Sequence, residues 1–209
     1  MTAGPPPRMY DGRPVADRRA QRREEFLAAG VAVFGEHGYQ STSITALCRA
    51  AGLARSQFYE HFDNREDLLI AVYDMIQVET RQAVTAATAA VASGDAVGRA
   101  QAAVRAYAES IGRDPRRARI AHIEVVGVSE RVERRRLEQR GLWMAFFEDQ
   151  IRRALGPDFV PPGGFDAAVT GYLGALLALV QQWSTGDPRT DLAGITEVLT
   201  RFLVCLMTP

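Results

Sequence analysis

Apolar residues recur at intervals of three and four along nearly the whole chain, and no stretch alternates apolar and polar residues over a useful length. That period predicts helices throughout and no sheet. A first helix is expected from about Asp17 to His37, with Phe26, Leu27, Gly30, Val33 and Phe34 on one face and Gly38-Tyr39 ending it. A short helix follows Ser43, and a second short one runs from about Arg55 to His61. Asp63-x-x-Glu66 has the form of a capping box opening a fourth helix.

From about Leu68 the predicted helices become longer and more apolar, over 66–92, 95–112, 115–127, 130–155, 166–184 and 188–207. Their ends carry chemical punctuation. Ser93-Gly94-Asp95 breaks and recaps, while Asp114-Pro115 and Asp187-Pro188 each put a capping acid before a proline at the first helical position. Residues 1–16, rich in Pro and Gly, read as a flexible arm. The expected organisation is that arm, a helix-turn-helix domain over 17–65 and a larger helical domain over 66–209. The fold class is all-α.

Composition narrows the function classes. The 209 residues are 47% hydrophobic and 24% charged, an ordinary globular balance. The longest apolar run, Leu173 to Val180, is far short of the ~20 residues a membrane-spanning helix needs. No apolar run follows the first charge, so no secretory leader is expected, and a cytoplasmic address fits. Cys48 and Cys205 are too few for a disulfide scaffold or a four-ligand zinc site. Net charge is zero, and all 25 cations are arginine, as GC-rich coding produces. A generic polyanion binder is disfavoured, but DNA binding needs only a local basic face. Three scattered histidines, with no nucleophile–base grouping, phosphate loop or metal spacing, argue against an enzyme and against a metal or cofactor.

The informative stretch is Tyr39 to Leu69. Ser43 is placed to cap a helix whose apolar face is Ile44, Leu47, Cys48 and Ala51, and Gly52 is placed to end it in the left-handed conformation. The next helix starts within three residues, which is the helix-turn-helix layout. Such a second helix lies in the major groove with its first turns against the bases. Arg55, Ser56 and Gln57 crowd that end. Arginine bonds guanine through two atoms and glutamine does the same for adenine, while a small serine permits close approach. Tyr59 and His61 offer polar tips for phosphate and sugar, Phe58 and Phe62 should face inward, and Arg65 opens the next helix where it can meet phosphate.

The run Gly38-Tyr39-x-x-Thr42-Ser43-Ile44-x-x-Leu47-Cys48-x-x-Ala51-Gly52-Leu53-x-x-Ser56-x-Phe58-Tyr59-x-His61-Phe62-x-x-Arg65-Glu66-x-Leu68-Leu69 closely resembles the DNA-binding domain of the TetR family of bacterial transcriptional regulators. The resemblance covers about residues 18 to 69. It implies that Thr42 and Ser43 touch phosphate, that Arg55 and Gln57 read bases, and that Tyr59, His61 and Arg65 hold the DNA backbone. Two positions depart from the pattern. Ala54 stands where the family usually has a capping serine, so Ser56 or water is expected to serve instead, and Arg65 replaces the usual lysine.

The rest of the chain resembles the family only loosely. One face of the helix at 166–184 carries Val169, Tyr172, Leu173, Leu176, Val180 and Trp183; another carries Gly171, Gly174, Ala175 and Ala178. The helix at 188–207 has an apolar stripe of Leu192, Ile195, Leu199, Phe202, Leu203 and Leu206, widened by Val198 and Cys205. So wide a stripe calls for two partners, and the resemblance implies that these two helices form a dimer interface. The middle helices are expected to line a pocket for a small apolar or amphipathic ligand. Tyr107, Ile111, Ile120, His122, Ile123, Trp143, Phe147 and Tyr172 are the candidate lining. Segment 130–140, dense in both charges, reads as a solvated helix face. The resulting expectation is a homodimeric repressor bound to a palindromic double-stranded operator and released by a ligand, with no membrane partner. The alternative is a DNA-binding regulator, an activator included, that has no small-molecule effector or answers to a partner protein.

Overall fold

The computed structural model describes residues 9–10, 13–92, 94–185 and 192–207. Most of the expected N-terminal arm, and the Asp187-Pro188 cap, lie outside those residues. Met9–Tyr10 and Arg13–Pro14 (β1 and β2) pair antiparallel, with Met9 opposite Pro14. The rest is helical: α1 Val15–His37, α2 Ile44–Ala51, α3 Arg55–Tyr59, α4 Arg65–Ala89, α5 Ala96–Gly112, α6 Pro115–Arg119, α7 Glu130–Leu155, α8 Gly164–Thr185 and α9 Leu192–Met207. A π-helical turn, Ile120–Glu124, extends α6. The chain divides into two compact units, 1–72 and 73–209.

The first unit is closed by aromatic packing. Phe26, Phe34 and Phe58 are fully buried. The Phe26 and Phe58 rings meet edge-on at 5.3 Å, and Phe62 sits 5.6 Å from Phe58. Each such ring stabilises the unit by roughly 1.5–3 kcal/mol through burial alone. At Gly30 on α1 an added Cβ would lie 2.7 Å from Val72 Cγ2, so only glycine lets α1 come this close to α4.

Capping follows the sequence closely, with one shift. Ser43 Oγ accepts from the Ala46 amide, and Gly52 ends α2 at φ +67°. Asp95 and Asp114 cap α5 and α6. The cap of α4, however, is Asn64, whose Oδ1 accepts from the Asp67 amide, while Asp67 reaches back to the Asp63 amide. The capping side chain and the acid that reaches back are therefore each one residue later than the expected Asp63 and Glu66, and the acid's bond goes to the amide preceding the cap.

In the second unit, α5 packs on α9, and α8 packs on α9, α6 and α7. The core holds Val104, Ile111, Ala118, Tyr172, Leu176, Trp183, Ile195, Leu199 and Leu203. The apolar stripes of α8 and α9 thus divide. Val169, Tyr172, Leu176 and Trp183, with Ile195, Leu199 and Leu203, are buried within this chain. Leu177, Val198 and Phe202 remain exposed, Phe202 to 50%. Gly171 and Gly174 on α8 have nothing within 4 Å of an added Cβ.

Candidate DNA-binding surface and ligand cavity

In the first unit α3 follows the glycine-capped end of α2 after two residues. Phe58 anchors it in the core, so Arg55, Ser56 and Tyr59 are turned to solvent. Arg55 and Tyr59, one turn apart, hold each other: Nη2 donates to the phenol oxygen at 3.0 Å, and the guanidinium lies 5.6 Å from the ring centroid. Ala54 has no side-chain acceptor, and the helix start is served from the other direction. The Ala54 amide donates to Gln57 Oε1 at 2.8 Å. Neither Ser56 nor water is needed for that amide, and the Gln57 NH₂ has no acceptor among the described residues.

Two expected backbone contacts are placed differently, and a third is partly buried. Thr42 is buried, and its hydroxyl donates to the Gly38 carbonyl at 2.7 Å. It holds the α1–α2 turn, so its hydroxyl is not presented to a phosphate; Ser43, beside it, is exposed. Arg65 turns inward. Its Nη1 donates to the carbonyls of Thr42 at 2.6 Å, Tyr39 at 3.1 Å and Gln40 at 3.4 Å, with the guanidinium 4.5 Å from the Tyr39 ring centroid. His61 is half-buried between Phe26 and Phe62, with Nε2 enclosed and unpartnered. Burial, reinforced by the nearby Arg19, pushes its pKa down, so the ring is neutral at pH 7.

Two arginines of α1 also hold the site. Arg19 Nη2 donates to the Glu60 carbonyl at 3.2 Å, and Arg22 pairs with the Glu60 carboxylate at 3.1 Å. Both lie on α1, so they fix the C-terminal end of α3 to it.

The second unit encloses a cavity of about 360 Å³. Of the expected lining, Tyr107, His122, Trp143 and Phe147 are on its wall. Ile111, Ile120, Ile123 and Tyr172 are not. Ile111 and Ile120 are packed into the core, and Tyr172 stacks behind Phe147 with ring centroids 5.3 Å apart. Equal spacing on a helix cannot distinguish the wall of a void from the layer behind it.

Tyr107 OH and His122 Nε2 are 3.0 Å apart at the floor. With the phenol as donor, Nε2 is satisfied and Nδ1, enclosed and unpartnered, carries the ring proton. Burial, and then the Arg136 charge, drive the His122 pKa down to about 4, so this floor is uncharged at pH 7. Trp143 is fixed by Nε1–H donating to Gln77 Oε1 at 2.7 Å.

Sequence reading missed the charged part of the wall, which is Glu133, Arg136 and Arg140 from α7. Their helix is pinned to α4 by hydrogen bonds. Asp74 accepts from Arg135 Nε and Gln139 Nε2, both at 2.7 Å, and Gln139 accepts from Arg81 at 2.8 Å. Among the described residues no group of acids, histidines and cysteines could hold a metal, and no helix is long and apolar enough to cross a membrane.

A short exposed helix, anchored from behind and set after a glycine-capped turn among packed helices, is a helix-turn-helix DNA-binding domain. Residues 26–72 match the family described as bacterial regulatory proteins, tetR family. Residues 26–72 are therefore a TetR-family DNA-binding domain. A curated relative, the HTH-type transcriptional repressor AcnR of Corynebacterium glutamicum, is 32% identical over 56 residues, 27% of this chain and 30% of the relative. The match thus spans less than a third of that protein.

Solved structures extend the likeness of fold. The fatty acid degradation regulator FadR from Bacillus halodurans superposes with a TM-score of 0.79 at 18% identity, over 88% of this chain and 94% of that one. FadR from Bacillus subtilis, solved in complex with stearoyl-CoA, gives 0.77 at 16% identity, over 87% and 97%.

Proposed function

We propose that the chain is a dimeric transcriptional repressor, acting in the cytoplasm, that binds a palindromic operator and is released by a small apolar or amphipathic ligand in the cavity of its second unit. The observation that carries the DNA reading is the exposed face of α3, with Arg55, Ser56 and the free end of Gln57 held outward over a buried Phe58. Arg55 and Gln57 read bases, Ser56 lets the helix approach, and Ser43 and Tyr59 meet phosphate. His61 adds its ring to the sugar–phosphate contact. Thr42 and Arg65 act mainly by holding the turn that carries Ser43. Dimerisation uses what the core leaves open on α9, namely Val198 and Phe202, beside Gly171 of α8. The likeness to a regulator crystallised with stearoyl-CoA supports a ligand in the second unit. The functional domains are the helix-turn-helix over 17–65 and the ligand and dimer domain over 66–209.

The test begins with selection of bound duplexes from a random pool. A two-fold dimer requires an inverted repeat with half-sites about one helical turn (~34–36 Å) apart. A selected site without two-fold symmetry would refute the dimeric reading, and no enriched site would refute sequence-specific binding. Release is then measured by fluorescence anisotropy of the selected duplex as candidate ligands are added. An activator would raise, not lower, expression from that site in a reporter.

A further inference from the structure

The charge on the cavity wall is confined to one side. The floor, Tyr73, Gln77, Ala121, Trp143 and Leu176, is buried, whereas Leu137, Arg140 and Leu177 are exposed, which places the mouth between α7 and α8. Arg136 is neutralised by Glu133, which it meets at 2.6 Å. Glu133 also accepts the Gly127 amide, and that bond, with Arg136, keeps its carboxyl below its ordinary pKa and ionised. Arg140 is different. Among the described residues its guanidinium meets only a neutral group, the Thr170 hydroxyl at 2.9 Å, which steers it toward α8. The mouth therefore carries an uncompensated positive charge above an interior of Trp143, Phe147, Leu173 and Leu176.

We infer that the cavity takes an amphipathic anion, its acid group held at the mouth by Arg140 and the Thr170 hydroxyl and its apolar body lying inside. The guanidinium fork matches a carboxylate or phosphate through paired hydrogen bonds, which a lone hydroxyl or amine on the ligand cannot reproduce. The opposite orientation is disfavoured, because the Tyr107–His122 floor holds no charge at pH 7 and has already used the phenol proton and Nε2 on each other. The inference rests on the reading of this cavity as a ligand site.

The experiment is calorimetric titration of the full-length protein with four probes of one chain length: decanoate, decanoyl-CoA, decanol and decylamine, each below its micellar concentration. At least one anion should bind about tenfold more tightly than decanol, the size of one good charge-assisted contact at about 1.4 kcal/mol, and decylamine should bind weakest. Whichever anion binds better identifies the source of the acid, a free carboxylate or a phosphate-bearing thioester. Arg140→Ala should abolish the preference while leaving decanol within about twofold, and Arg140→Lys should restore part of it.

Equal affinity for the anions and decanol, a preference that survives Arg140→Ala, or no binding of any probe would overturn the inference. Operator anisotropy run in parallel separates it from the ligand-release reading. An anion that binds through Arg140 without releasing DNA refutes release alone, and decanol releasing DNA as well as the anions do refutes the charge inference alone.

Discussion

Removal of the Arg65 side chain distinguishes a residue that touches DNA from one that builds the surface touching it. The guanidinium donates to the carbonyls of Thr42, Tyr39 and Gln40 and lies on the Tyr39 ring. A hydrogen bond to a charged donor contributes about 1.5–3 kcal/mol net, and a partly exposed cation–π contact about 0.5–1 kcal/mol. One nitrogen serves all three carbonyls, and water can reach those near exposed Gln40 once the side chain is gone. The contributions therefore do not add fully, and Arg65→Ala should cost about 2–3 kcal/mol. Arg65→Lys keeps a charge but loses the flat stacking surface, and should cost about half as much. Urea unfolding followed by circular dichroism gives the stability. Amide exchange read by mass spectrometry should localise the loss of protection to residues 38–50. A residue whose whole role was to meet phosphate would behave otherwise: stability and exchange would not change, and the salt dependence of DNA binding would become shallower by about one log–log unit for each phosphate no longer neutralised. That second pattern would refute the positioning role.

Three further outcomes follow from the same geometry. Arg55→Ala should cost about 1–3 kcal/mol on the selected operator and relax one base position per half-site, while Gln57→Ala should do the same and also lose about 1 kcal/mol of stability, because Gln57 caps Ala54; anisotropy on selected and scrambled duplexes, with urea unfolding alongside, checks both. Phe202→Glu should give a folded monomer in light scattering, whereas Leu199→Glu should unfold the second unit, because Leu199 is core. His122 protonates near pH 6.5 in the unfolded chain but only near pH 4 in the folded one, so the unfolded state holds the extra proton between those values. Stability should then fall as pH drops through that window, by up to about 3 kcal/mol, and the part of the loss due to this ring should vanish in His122→Gln.

The first unit was legible because its signals are local. A hydroxyl, an apolar face, a glycine and a second short helix fall within about twenty residues, and each is satisfied by neighbours close in sequence. The exceptions are side chains able to serve either the fold or the partner. Thr42 and Arg65 have the right chemistry for phosphate and stand in the right place, but each finds carbonyls of the α1–α2 turn first. Nothing in the sequence marks which demand wins, since the Arg65 acceptors lie 23 to 26 residues away. The capping of Ala54 was hidden for a related reason. Its acceptor comes from Gln57, three residues downstream, and glutamine there has equal chemistry for a base edge.

The cavity was legible only as aromatic content. Tyr107, Trp143 and Phe147 line it, yet Tyr172 has the same chemistry and periodicity and lies one layer behind. The charged wall was concealed by its own surroundings. Segment 130–140 interleaves arginines and glutamates, and its i,i+3 and i,i+4 pairs are what a solvated helix displays. Most of its charges do pair in that way or across to α4: Arg134 with Glu130, Arg136 with Glu133, and Arg135 with both Glu138 and Asp74. Arg140 has no such partner among the described residues, and it alone of these faces both the cavity and a hydroxyl of α8. A helix whose arginines are otherwise matched makes the unmatched one informative, because solvation alone gives no reason to seat it against Thr170 at the edge of an apolar void. Selectivity for an acid would then reside in one guanidinium at the mouth, and the shape of the ligand would be read by the aromatic wall beneath it.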